Sequence, residues 1–171
     1  MVVDDDEIPN NEEYQDLKQL NFARLALSGI TEILDKTWLF FNLSKIARYS
    51  IYQHLKPMDF KSGQVIVREG EEASGLFIVV RGRIRVVQKS NRLDVIRDPI
   101  AGGNNNIMGE IGVLKKIPRT ASVFAHDSKV ETLFLALSSI REIAEQLPEV
   151  DKHLQDLLTK SARKRVGPNG Y

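Results

Sequence analysis

The chain has no cysteine. Disulfides, thiol catalysis and cysteine-ligated metals are therefore excluded, and a reducing, cytoplasmic setting fits. Long hydrophobic runs are also missing. No apolar stretch approaches the roughly 20 residues a membrane-spanning helix needs, so direct membrane insertion is not expected. Met1 is followed by Val-Val-Asp-Asp-Asp-Glu rather than a charged and apolar signal peptide. An excess of either charge is absent too, the formal net charge being +1. Nothing global attracts nucleic acid or an anionic membrane surface. The histidines, His54, His126 and His153, are scattered without metal-ligand spacing and read as packing or surface residues. An enzyme lacks its parts: there is no nucleophile–base–orienter set and no Gly-rich loop ending in Lys-Ser/Thr. A cupin-like enzyme would need clustered His and Glu ligands. A DNA-binding activator would need a further helix-turn-helix, for which little chain follows Arg165.

What is present is an ordinary globular composition, 42% hydrophobic and 27% charged, over a length suited to one core with flanking helices. Residues 1–13 read as a disordered acidic tail. Residues 14–56 carry apolar positions three and four apart, the helical period, with breaks at Gly29 and Asn42-Leu43-Ser44. Ser44 suits an N-cap for a helix from Lys45. Trp38, Phe40 and Phe41 read as a packing cluster where these helices meet the next region.

The pattern changes at Pro57. Through residues 57–137, from Phe60 onward, short β-like runs alternate with turn signals such as Lys61-Ser62-Gly63, Glu69-Gly70-Glu71, Arg81-Gly82-Arg83 and His126-Asp127-Ser128. Short strands at this spacing predict a sandwich or barrel. The helical period returns over residues 138–165. There Ser138 or Ser139 is expected to cap a helix Ile140–Gln146, and Pro148 to start another. Residues 166–171 form a tail. The expected fold class is α+β: an antiparallel, jelly-roll-like β-roll with helices before and after it.

One stretch, residues 108–123, breaks the β pattern. Glu110 to Leu114 reads as a single helical turn, whose start offers backbone N–H groups and a positive dipole end to an anion. Gly109 and Gly112 lack side chains that would block close approach. Arg119 supplies a planar fork matched to phosphate. Glu110 can accept hydrogen bonds from sugar hydroxyls. Together these are the equipment for a phosphorylated sugar.

The stretch Gly109-Glu110-Ile111-Gly112-Val113-Leu114, then Pro118-Arg119-Thr120-Ala121-Ser122-Val123, resembles the phosphate-binding cassette of the cyclic nucleotide-binding domain family. Phe60 to Ile66, Glu69-Gly70-Glu71 and Leu76 to Gly82 resemble that family's opening hairpins, and Leu137 to Pro148 its hinge helix. The departures are Met108 for Phe, Glu71 for Asp, Gly112 for Ala, and a loose connection over residues 101–106 before the pocket.

The resemblance implies a ligand, cyclic AMP or cyclic GMP, and no cofactor. Arg119 would pair with the cyclic phosphate and Glu110 with the ribose 2′-hydroxyl. Backbone N–H groups at Ile111, Gly112 and Ala121 would cradle ribose and phosphate, with Gly109 permitting the approach. Thr120 stands where some relatives meet a guanine with a hydroxyl, which permits cyclic GMP without selecting it. Leu154, Leu157 and Leu158 are candidates for a lid over the base. The implied role is regulatory, in a parent kinase, channel or transporter. The N-terminal helical stretch favours a channel or transporter, such as a sperm-type sodium/proton exchanger in the plasma membrane. Two alternatives stand beside this reading: Glu110 and Arg119 as a structural ion pair, and the fold as a ligand-free docking module.

Overall fold

The computed structural model describes residues 11–27, 29–99 and 106–164. Three helices open the described chain: α1 (Asn11–Leu27), α2 (Ile30–Lys36) and α3 (Lys45–Tyr52). Gly29, at φ 75°, separates the first two. Ser44 caps α3 as its position predicts, its Oγ accepting the Ala47 N–H at 3.2 Å. Tyr52 donates to Asp35 at 2.7 Å, tying α3 back to α2. Residues 11–13, expected in a disordered tail, are helical, while residues 1–10 and the tail 166–171 lie outside the described residues.

The strands β1 (Lys56–Phe60), β2 (Val65–Val67), β3 (Gly75–Gln88), β4 (Leu93–Arg97) and β5 (Ile107–Met108) follow. A short helix, α4 (Glu110–Lys115), interrupts them before β6 (Ser122–Ala136). Every pairing is antiparallel. The order is β1-β6-β3-β4, with β2 on β6 and β5 on β3. This is the expected α+β roll, but its turns differ. Arg81-Gly82-Arg83 and His126-Asp127-Ser128 are not turns between strands. They are bends inside the continuous β3 and β6, marked by register shifts at Val79/Arg81 and Arg81/Arg83 and by positive φ at Gly82 and Asp127. Bulges of this kind curl a long strand without ending it. β1 also begins at Lys56, ahead of the expected first β-like run.

The last helices are α5 (Leu137–Gln146) and α6 (Pro148–Lys164). Neither Ser138 nor Ser139 caps α5, which starts before both. The amide of Leu137 instead donates to the Ser74 carbonyl at 2.8 Å, so the loop before β3 satisfies one of the amides a cap would otherwise serve.

From Gly75 to Val79 β3 is buried on both faces, and its alternation divides the interior. Leu76 and Ile78 join a helical core with Leu34, Phe40, Leu55, Leu133 and Ile143. Phe77 and Val79 face a second cluster inside the roll with Ile84, Met108, Val123 and Val130. Phe40 is 1% exposed and Trp38 packs at the edge of the helical core, but Phe41 is 60% exposed and stands outside the expected aromatic cluster.

Candidate ligand-binding site

β5 carries the chain from the roll interior to its mouth, and the cassette begins where β5 stops. Gly109 sits at φ 79°, a left-handed conformation that other residues adopt at a cost. A Cβ there would also strike the Arg119 guanidinium. After α4, Lys116 at φ 54° reverses the chain, and the Ile117 amide bonds back to the Gly112 carbonyl at 3.1 Å. Arg119 is then clamped by its own main chain. Its N–H donates to the Glu71 carbonyl and its carbonyl accepts from Gly70, each at 2.8 Å. The Glu69 amide donates to Ser122 Oγ at 2.9 Å, so the turn at residues 69–71 holds the far end of the cassette.

The Arg119 side chain is buried, 6% exposed. Nη1 donates to the Gly109 carbonyl at 2.9 Å and Nη2 to the Gly75 carbonyl at 2.6 Å. Burial pulls its pKa below the ordinary guanidinium value, while the carboxylates of Glu110 and Glu71 pull it back up. The group stays a cation, because arginine is not deprotonated in proteins. Two of its five N–H donors are committed to carbonyls that fix the plane of the fork. The result is an oriented positive charge at a protein wall.

That wall bounds a cavity of about 570 Å³, within the usual range for small-molecule sites. Gly109, Glu110, Ile111, Gly112, Arg119, Thr120 and Ala121 all line it. Val67, Ile84, Val86, Met108 and Val123 add apolar lining to the same cavity. An anion-binding end beside an apolar slot suits a ligand with a phosphate at one end and a flat base at the other.

A family model described as the cyclic nucleotide-binding domain matches residues 57–147, more than half of the chain. The chain belongs to the cyclic nucleotide-binding domain family. Within it, the chain is 31% identical over 94 residues to a cAMP-dependent protein kinase regulatory subunit of Dictyostelium discoideum, covering 54% of this chain and 29% of that one. It is 29% identical over 111 residues to a cGMP-dependent protein kinase of Toxoplasma gondii, covering 65% and 11%. It is 23% identical over 138 residues to a CRP-like cAMP-activated global transcriptional regulator of Mycobacterium tuberculosis, covering 78% and 58%. The chain thus spans less than two thirds of each relative's length. The regulatory domain of Toxoplasma gondii PKA, co-crystallised with cAMP, shares the fold at TM-score 0.61 and 19% identity, covering 87% of this chain and 51% of that one.

Two expectations about this family cassette change. Gly112 does more than leave room for a ligand. A Cβ there would lie 2.7 Å from the Ala73 Cβ and 3.0 Å from the Ile117 carbonyl, so glycine lets α4 pack on the loop before β3. Of the lid candidates, Leu154 and Leu157 are not at the cavity. Leu154 and Leu157 pack against the helical core, and no described residue of α6 lines the cavity. The side chain of Leu158 lies outside the described residues. α6 packs on α5 and on α4, and its apolar face joins the helical core because that surface is apolar as well.

Other residues at the site escaped the sequence. Gly75 supplies a carbonyl to Arg119, and a Cβ there would meet the Leu135 carbonyl at 2.5 Å. Its signal was a glycine opening a strand, which marks close backbone approach. Gln88, Asn91 and Arg97 line the cavity from the β3–β4 hairpin. Asn106, 4% exposed, is the described end of the loose connection, and the rest of that connection, residues 101–105, lies outside the described residues. Its Nδ2 donates to Thr37 Oγ1 at 3.1 Å and to the Val79 carbonyl at 3.3 Å, joining α2's end to the strand that feeds the pocket. Among the described residues, no cluster of His, Asp or Glu is arranged to hold a metal, and no helix is long and apolar enough to cross a membrane.

Proposed function

We propose that this chain is a sensor for a purine 3′,5′-cyclic nucleotide and passes occupancy of its cavity to the surrounding helices. The observation that carries this reading is the buried Arg119 fork, held by the Gly109 and Gly75 carbonyls at a cavity wall it shares with Glu110. Arg119 takes the exocyclic phosphate oxygens and Glu110 the ribose 2′-hydroxyl. The main chain from Ile111 to Gly112 and at Ala121 lies against the same groups. Thr120, also on the wall, is placed to meet a base and admits guanine without excluding adenine. The role is regulatory, and no residue is assigned to catalysis.

The module acts in an intracellular protein longer than the part described. The relatives described above support a kinase or a transcriptional regulator as such a parent. A channel or exchanger parent rests only on the N-terminal helical stretch.

Calorimetric titration of the chain with cyclic AMP, cyclic GMP and linear 5′-AMP tests the reading. Saturable heat is expected with at least one cyclic nucleotide, and binding at least about tenfold weaker, about 1.4 kcal/mol, with the linear monophosphate. Equal binding of linear and cyclic forms contradicts a site shaped for the cyclic phosphate.

A further inference from the structure

The helix that carries the lid leucines is fastened somewhere else. Glu149, in the first turn of α6, accepts the Ser44 main-chain N–H at 2.6 Å and the Ser44 hydroxyl at 2.7 Å. One turn later His153 Nε2 lies 2.7 Å from the Leu39 carbonyl. A carbonyl only accepts, so that nitrogen carries the proton and donates. Both anchors sit in the segment between α2 and α3, and both side chains lie on one face of α6, four residues apart. Hydrogen bonds to a carboxylate are among the stronger kinds. The Ser44 donors hold the Glu149 carboxyl below its usual range, as expected for a group bound in its charged form.

The apolar packing beneath these contacts is incomplete. A hollow of about 20 Å³ lies under α6, lined in part by Leu39, Leu43, Val150, His153 and Leu154. Walls around a void lose contact energy that close packing would supply. α6 is thus held by its polar fastenings as well as by the packing of Val150 and Leu154 on the helical core.

We propose that Glu149–Ser44 and His153–Leu39 form a latch that keeps α6 off the cavity, making Glu149 and His153 positioning residues that set nucleotide affinity without touching nucleotide. The inference rests on the sensor reading above. When the lid-competent state is a minor one, apparent affinity falls in proportion to its population. Weakening the latch raises that population, so affinity rises while the unliganded protein loses stability. A purely structural contact behaves differently: its loss lowers stability and leaves affinity the same or weaker.

The test is nucleotide titration of the full chain as wild type, Glu149→Ala, Glu149→Gln and His153→Leu, with melting curves in the absence of ligand. Glu149→Ala is expected to bind about fivefold tighter or more, an amount typical of losing one hydrogen bond on the opposing side. Glu149→Gln, which keeps an acceptor oxygen, falls between it and wild type. His153→Leu tightens binding independently, and serves if Glu149→Ala does not fold. Amide exchange in residues 148–160 should quicken in the variants. Wild type that binds with no tightening in either variant overturns the latch and leaves the sensor reading standing. Wild type that binds no cyclic nucleotide overturns both.

Discussion

The cassette and the helical shell solve different problems. The cassette is local: the residues expected to hold ribose and phosphate, Gly109 to Gly112 and Arg119 to Ala121, lie within residues 108–123 and line one cavity. The shell is long-range. Ser44 meets Glu149 across 105 positions and Leu39 meets His153 across 114. Chemistry in the first region depends on geometry fixed by neighbours in sequence. Position in the second depends on contacts that only the completed fold creates. A sensor needs both, because a rigid site must report to an element able to move.

The comparison is broken most strongly in the helical core. Ile143 on α5 is 2% exposed and packs among helices from both ends of the described chain. Ile143→Ala is expected to lower unfolding stability by about 2–5 kcal/mol, read from urea melts. A loss under about 1 kcal/mol would mean that the shell is not one cooperative unit.

The cassette is sharpened next by Gly109→Ala. The left-handed backbone alone costs about 1–2 kcal/mol for a residue with a Cβ, and that Cβ meets the Arg119 guanidinium. Stability should fall by about that amount, and cyclic nucleotide affinity by about tenfold, about 1.4 kcal/mol, because the fork is pushed off its two carbonyls. Unchanged affinity would show that Gly109 serves the turn alone.

The same division explains what the sequence made legible. Short-range signals read well. Ser44 capping Ala47 is a contact three residues apart, Gly29 breaks a helix where it stands, and Glu110 starts a helical turn inside a β region. The cassette was readable because its motif is continuous. Gly75 as Arg119's second carbonyl was not, since the partners are 44 positions apart. Nor was the Thr37–Asn106 link across 69. The bends in β3 and β6 were mistaken for turns because Arg81-Gly82-Arg83 and His126-Asp127-Ser128 have turn chemistry, while pairing across the sheet keeps both strands continuous. The period of α6 shows that it has an apolar face, but not which of two apolar surfaces that face covers. Of the lid candidates Leu154, Leu157 and Leu158, the first two lie on the helical core.

The central claim is that a buried arginine at a cavity wall binds the cyclic phosphate, and one titration tests it most directly. Wild type and Arg119→Ala are titrated with the tighter-binding of cyclic AMP and cyclic GMP, and the folded state of the variant is checked by its melt. The account predicts saturable binding by wild type, weakened at least about tenfold, about 1.4 kcal/mol, in a variant that still melts cooperatively. Equal binding by a folded Arg119→Ala would contradict it.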